Sequence, residues 1–359
     1  MKKILKNFKK GVLNGIETKK IFKLAKKNNF AIPAINCINT DSINSILQTA
    51  SKIKSPVIIQ FSYGGSIFIS GKKNKNNSFQ EAIDGAISGA KHIHLMAKHY
   101  KIPIIIHTDH CNKDLLPWLD GLIKFGKKYF KKKGYPLFSS HMLDLSHENL
   151  KNNINYCCKY LKKISKINMF LEIELGCTGG EEDGIDNTKI KKKYLYTKPK
   201  EVNYAYKKLS SINSNFSIAA SFGNVHGVYK IGNVDLKPKI LIKSQQYVEK
   251  HNKINKKNPL NFVFHGGSGS SLKDIKKSIL YGVVKINFDT DIQWFTWKGI
   301  LNFYKKNKKY LQHQLGNPEG KNKPNKKYYD PRNWIQYYKN YISKKLKKVF
   351  FNLNSINLL

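Results

Sequence analysis

Hydrophobic positions along the chain follow two alternating patterns. Short apolar or β-branched runs are separated by longer, lysine-studded stretches in which apolar residues recur at helical spacing. The short runs are FAIPAINC (30–37), PVIIQFS (56–62), PIIIHTD (103–109), LFSSHMLDLS (137–146), FLEIEL (170–175), FSIAASFG (216–223), NFVFHGG (261–267) and VVKINFD (283–289). Helical spacing lies between them, as at 115–133, 147–166 and 271–281. Eight strands alternating with helices predict an α/β protein with a parallel sheet, and the count points to a (β/α)8 TIM barrel over residues 1–359 as a single domain. An open doubly wound sheet is the competing topology. Beyond the eighth unit, Asp330 and Pro331 read as the start of a further helix with an apolar face that includes Trp334, Tyr338, Ile342, Leu346 and Phe350. This C-terminal extension, about 330–359, is expected to pack on the barrel or on a second subunit.

Most of the apolar runs end in chemically active side chains. The third strand runs into Asp109 and His110, the fourth ends in Asp144, and the fifth carries Glu172 and Glu174. The sixth continues to His226, the seventh ends in His265, and the eighth closes with Asn287 and Asp289. In a barrel all strand ends of one sense meet at one face, where such enzymes keep their active sites. Three imidazoles from three strand ends suit zinc and leave a position for substrate. Glu172 and Glu174 are two apart, so they share one strand face and must be paired, protonated or close to a cation. With Asp144 they orient the histidines or form a second metal position.

Composition changes this picture in three places. The net charge of +42 raises a nucleic-acid hypothesis. Against it, the lysines are dispersed, often beside asparagine, and no nucleic-acid-binding motif is present; specific nucleic-acid binding is not expected. Lysine is absent from 103–111, 136–146, 169–188, 215–229 and 258–272, yet 8 of the 23 acidic residues lie there, so the strand ends are set apart from the basic background. The single arginine, Arg332, stands against 64 lysines; chance explains one such residue, and the physical alternative is a site that needs a planar, bidentate fork. Five cysteines without zinc-ribbon spacing fit a reduced, cytoplasmic protein. No apolar run is long enough for a membrane helix, and the basic N-terminus lacks the apolar stretch of a secretory signal.

Glycine-rich stretches complete the chemistry. GCTGGEEDGID (176–186) can fold over the barrel mouth and carries Glu181, Glu182 and Asp183. NVHGVY (224–229), FHGGSGSS (264–271) and KINFDTD (285–291) place glycine, serine and threonine at consecutive strand ends, where backbone amides before a helix hold phosphate well.

These motifs together resemble the class II, metal-dependent fructose-1,6-bisphosphate aldolases of bacterial type. The resemblance runs from AIPAINC through HTDHC, SSHMLDLS, LEIELGCTGGEEDG, ASFGNVHGVY, NFVFHGGSGS and KINFDTDIQW to NKKYYDPR. It implies a homodimeric zinc enzyme that cleaves fructose 1,6-bisphosphate to dihydroxyacetone phosphate and glyceraldehyde 3-phosphate, with a monovalent cation near the phosphate loops. By the same resemblance His110, His226 and His265 hold the catalytic zinc, and Asp144 and Glu174 match a second metal position. Gly227, Gly266, Gly267, Ser268, Asn287, Phe288, Asp289 and Thr290 hold the dihydroxyacetone phosphate half. Asn36, Ser62 and Arg332 grip the far phosphate, Arg332 from the partner subunit. Asp109 and Glu182 are the acid–base pair. Aldolases for related ketose bisphosphates, such as tagatose 1,6-bisphosphate, are the neighbouring reading, and a degenerate polyanion-binding barrel is the rival of a different class.

Overall fold

A computed structural model describes residues 3–71, 78–182, 185–186, 192–227 and 235–359. Eight parallel strands form its centre: β1 (Ile32–Asn36), β2 (Val57–Phe61), β3 (Pro103–Thr108), β4 (Ser140–Leu143), β5 (Phe170–Leu175), β6 (Phe216–Ala220), β7 (Phe262–Phe264) and β8 (Val283–Phe288). Each pairs with its sequence neighbour, β8 returns to β1, and β3–β4 completes the ring, so the sheet is a closed barrel. The open doubly wound alternative is thereby excluded.

The strand PIII of β3 shows why such runs lack polar alternation. Ile104 and Ile106 point into the layer between barrel and helices, while Ile105 joins a second apolar cluster with Ile32, Ala34, Ile58, Phe170 and Val284. Both faces are buried, as parallel barrel strands require. Helix Gly15–Lys27 closes the strand-start end by adding Ile21, Phe22 and Ala25 to that second cluster. Its start is fixed by a capping box, with Asn14 accepting from the Glu17 amide and Glu17 accepting from the Asn14 amide. Above this plug the barrel interior turns polar, then ionisable, towards the strand ends.

The predicted helices appear at Leu116–Lys133, Leu150–Ser165 and Leu272–Leu280. The predicted fourth strand is shorter than the run 137–146, because Asp144 to Ser146 already belong to a turn in which Ser146 bonds back to Asp144. The last helix, Pro331–Asn352, packs on the barrel side. Tyr338, Ile342, Leu346, Val349 and Phe350 are buried in the main core, and Thr49 of helix Thr40–Lys52 bonds Ser343. Among the described residues, no helix is long and apolar enough to cross a membrane.

Candidate active site

At the strand-end face, β3 leaves the barrel through His110, whose φ of +41° lies in the left-handed region that non-glycine residues seldom adopt. Its ring lies 5.1 Å from that of His226 and 4.7 Å from that of His265, centroid to centroid. One ligand atom from each of the three lies within 4.8 Å of the others. Local geometry requires the glycine after His265. Gly266 has a φ of +67°, and a Cβ there would stand 2.2 Å from the Val225 carbonyl oxygen, so the two histidine loops touch only because Gly266 lacks a side chain. The His226 loop is also held from the other side. His226 donates its backbone N–H to Gly179 (2.7 Å), and Asn224 donates to Thr178, which donates to Glu174.

Carboxylates fix the orientation of two rings. Asp144 accepts from Nδ1 of His110 at 2.9 Å, leaving Nε2 as the ring's lone-pair nitrogen. Glu172 accepts from Nε2 of His265 at 2.9 Å, leaving Nδ1. That Nδ1 faces Oε2 of Glu174 at 3.3 Å, and neither buried atom makes a hydrogen bond among the described residues. Two buried acceptors aimed at each other are costly unless a proton or a cation lies between them. Burial disfavours a charged His265, but Glu174 and Glu172 outweigh it and raise the ring's pKa to about 9. Burial also opposes the Asp144 charge, yet His110 and the Ser146 hydroxyl hold that carboxyl well below the usual range. His110, Asp144 and Glu174 form a second compact set of potential ligands.

Beneath the imidazoles lies a buried polar layer. Lys285, only 1% exposed, donates to both carboxylate oxygens of Glu172 at 2.8 Å. Burial opposes the Glu172 charge, and Lys285, together with the hydrogen bond from His265, reverses that and holds the carboxyl well below its ordinary range. His107 donates or accepts at Ser140 (2.7 Å) and is pushed down to about 3 by burial and then by Lys285, so it is neutral. Asp109, also 1% exposed, accepts from Gln60 at 2.7 Å and from Asn36 and Asn287 at 3.3 Å. Three amides from three strands therefore aim one carboxylate.

The phosphate-type loops sit beside this cluster. Gly267 donates to the Asn287 carbonyl, and Ser268 accepts from the Asp291 amide at the start of helix Thr290–Asn307. Phe288 closes β8, and Asp289 accepts from Gln293. Gly227 has a φ of +96°. Ser62 caps helix Tyr63–Ser70 by accepting from the Gly65 amide. One expected residue stands apart, and the side chain of another is not described. Arg332, 85% exposed at its side chain, is held by Asp330 at 2.6 Å and lines an open cavity with Glu319, Lys326 and Asn333, which contains no other expected site residue. The Glu182 backbone pairs with Ile185 in a short hairpin, but its side chain lies outside the described residues.

The sequence reading missed Lys285 and Gln60. A signal was present for both: Lys285 stands two residues before Asn287, and Gln60 two before Ser62, which puts each pair on one strand face. Among 64 lysines, however, the one inside the barrel looks like any other. The outer ties through Thr178 and Asn224 depend on loop-to-loop contacts that no strand pattern encodes.

Residues 16–358 match the family model described as fructose-bisphosphate aldolase class-II. The chain is 65% identical, over 99% of its length and 100% of the relative's, to the fructose-bisphosphate aldolase class 2 of Buchnera aphidicola subsp. Schizaphis graminum. It is 59% identical to the protein of that name from Escherichia coli K12, with both chains fully covered. The crystal structure of fructose-bisphosphate aldolase from Campylobacter jejuni superposes with a TM-score of 0.90 at 54% identity, covering 99% of each chain.

Proposed function

Given that the chain belongs to the class II fructose-bisphosphate aldolase family, we propose how its own residues carry out the reversible cleavage of fructose 1,6-bisphosphate to dihydroxyacetone phosphate and glyceraldehyde 3-phosphate. The family is zinc-dependent, and the chain has histidine and carboxylate groups that suit such an ion. The observation that carries the reading is the convergence of three imidazoles, two of them oriented by buried carboxylates, beside a carboxylate held by three amides. A zinc ion held by His110, His226 and His265 would supply Lewis-acid stabilisation of the charge that develops on the ketone oxygen.

Asp109 takes the C4 hydroxyl proton as the C3–C4 bond breaks, and returns it in condensation. Its amide partners Asn36, Gln60 and Asn287 keep the acceptor oxygens pointed at one place. Glu182 delivers the proton to C3 in cleavage and removes it in condensation. Gly227, Gly266, Gly267, Ser268, Asn287, Phe288, Asp289 and Thr290 bind the dihydroxyacetone phosphate half, where backbone amides near a helix start favour an anion. Asn36 and Ser62 bind the far phosphate together with Arg332 of a second subunit. The exposure of Arg332, in a cavity lined by no other member of the set, supports a homodimer that shares its sites. Asp144 and Glu174, with His110, form a second metal position, and a monovalent cation sits among carbonyls of the phosphate loops. The whole chain acts as one cytoplasmic catalytic domain.

The test is an Asp109→Ala variant assayed on fructose and tagatose bisphosphates side by side. Loss of cleavage by about two to four orders of magnitude with retained zinc is expected, with fructose 1,6-bisphosphate the better substrate of the parent enzyme. Cleavage at the parent rate would refute the role of Asp109, and faster turnover of the tagatose sugar would reassign the substrate.

A further inference from the structure

The opposite end of the barrel carries a cavity that the aldolase reaction does not use. Its volume is about 460 Å³, within the range of small-ligand sites. It opens beside helix Gly15–Lys27, next to Phe216 and Asn261 at the starts of β6 and β7. Catalytic groups occupy the other ends of these strands. Five of its fourteen lining residues are lysines: Lys19, Lys20, Lys23, Lys26 and Lys256. Lysine is common over the whole surface, and here five of its side chains share one cavity. No carboxylate lines the cavity among the described residues. Elsewhere on the surface lysines do find acids, as in Lys9–Glu17, Lys113–Glu148 and Lys163–Asp120.

Neutral oxygens hold the ammonium groups in place. Lys26 donates to the carbonyls of Asn258 (2.9 Å), Pro259 (3.3 Å) and Leu260 (2.9 Å), and Lys19 donates to the Ser214 hydroxyl. These bonds fix position but bring no negative charge. Burial, then the charge of Lys256, lowers the pKa of Lys26 to about 7. Burial, then Lys256 and Lys23, lowers that of Lys19. The lysines therefore repel one another across the cavity, and a multivalent anion would relieve that repulsion. Tyr206 and Phe216 add a small aromatic wall.

We propose that this cavity binds a small polyphosphate anion, free or as the tail of a nucleotide, with Lys19, Lys23 and Lys256 as its charge-assisted donors and Lys26 at its base. A chain of linked phosphates offers several charged groups to several lysines, whereas a single phosphate offers one. The site is independent of the catalytic metal and of the sugar-phosphate loops.

Tripolyphosphate binding to the full-length, zinc-loaded protein tests this, measured by calorimetry at near-physiological salt with excess dihydroxyacetone phosphate filling the catalytic end. Two variants of equal charge loss are compared. One is Lys19→Gln/Lys23→Gln/Lys256→Gln, and the other is Lys127→Gln/Lys131→Gln/Lys132→Gln on the exposed face of helix Leu116–Lys133. The cavity variant should lose about tenfold or more in affinity while its aldol cleavage rate stays at the parent value, which shows that it is folded. The control variant should bind as the parent does. Tripolyphosphate should also slow acetylation of Lys26 in the parent, read by mass spectrometry, and not in the cavity variant. ATP binding as tightly as tripolyphosphate would assign the tail alone, and tighter binding would add a contact to the base. Equal losses in both variants, or no loss in either, would overturn the site in favour of diffuse charge.

Discussion

Single side chains decide the chemistry of this barrel, and Lys285 shows how. Its ammonium lies inside the protein on both oxygens of Glu172, which in turn fixes the tautomer of His265. Removing such an outer partner of a ligand costs about 10- to 100-fold in metal affinity. Lys285→Met should therefore weaken zinc binding by that order, measured by competition with a chelating dye, and should also destabilise the fold by leaving Glu172 buried without its cation. The double variant Lys285→Met/Glu172→Gln should recover stability but not affinity; full affinity in either would break the link. His265 supplies a second expectation. In the metal-free protein burial lowers its pKa, but Glu174 and Glu172 prevail and raise it to about 9. Because the folded value lies above the unfolded one, its stabilising effect on the metal-free fold is complete below about 6.5 and fades as pH rises through about 9. Zinc must displace that proton, so zinc affinity should fall about tenfold for each pH unit below that value, with one proton released on binding at pH 7.5. Calorimetry in buffers of different ionisation enthalpy reads that proton directly, and uptake without release would contradict it.

At the scale of elements, strand ends carry the cluster of imidazoles and carboxylates, and the last helix carries the outlying member proposed for it, Arg332. The eight strands were legible because both-face burial leaves unbroken apolar runs such as PIII, and because polar residues follow those runs abruptly. The histidine and carboxylate positions were legible for the same reason. What stayed hidden was cross-strand pairing: nothing in VVKINF marks Lys285 as the partner of Glu172, 113 residues away. The helix Pro331–Asn352 was legible from its apolar face, and that face packs on the barrel through Ile342, Leu346 and Phe350. This leaves Arg332 at the helix start, exposed and held by Asp330, in position to serve another subunit. Arg332→Lys should raise KM for the bisphosphate about tenfold or more, through loss of one charge-assisted fork. Mixing Asp109→Ala with Arg332→Ala subunits should restore activity towards about one quarter of the parent, because half of the pairs contain one complete site. No recovery on mixing would place Arg332 in its own subunit's site.

For the whole molecule, the barrel separates two chemistries by its length. An apolar plug formed by Ile21, Phe22 and Phe170 divides the ionisable strand ends from the lysine-lined cavity at the strand starts. The excess of +42 lies on the outer surface and at that second end, while the acids of the candidate site gather where lysine is sparse. Such a division lets a very basic chain keep a compact set of carboxylates and imidazoles in a defined charge state. The measurement that bears most directly on this organisation is cleavage of fructose 1,6-bisphosphate by the purified protein, first as prepared, then after exhaustive EDTA treatment, then with zinc restored. Activity should vanish with the chelator and return with zinc, as the three-histidine site requires. Cleavage that continues after complete metal removal would contradict that site and return the search to the lysines.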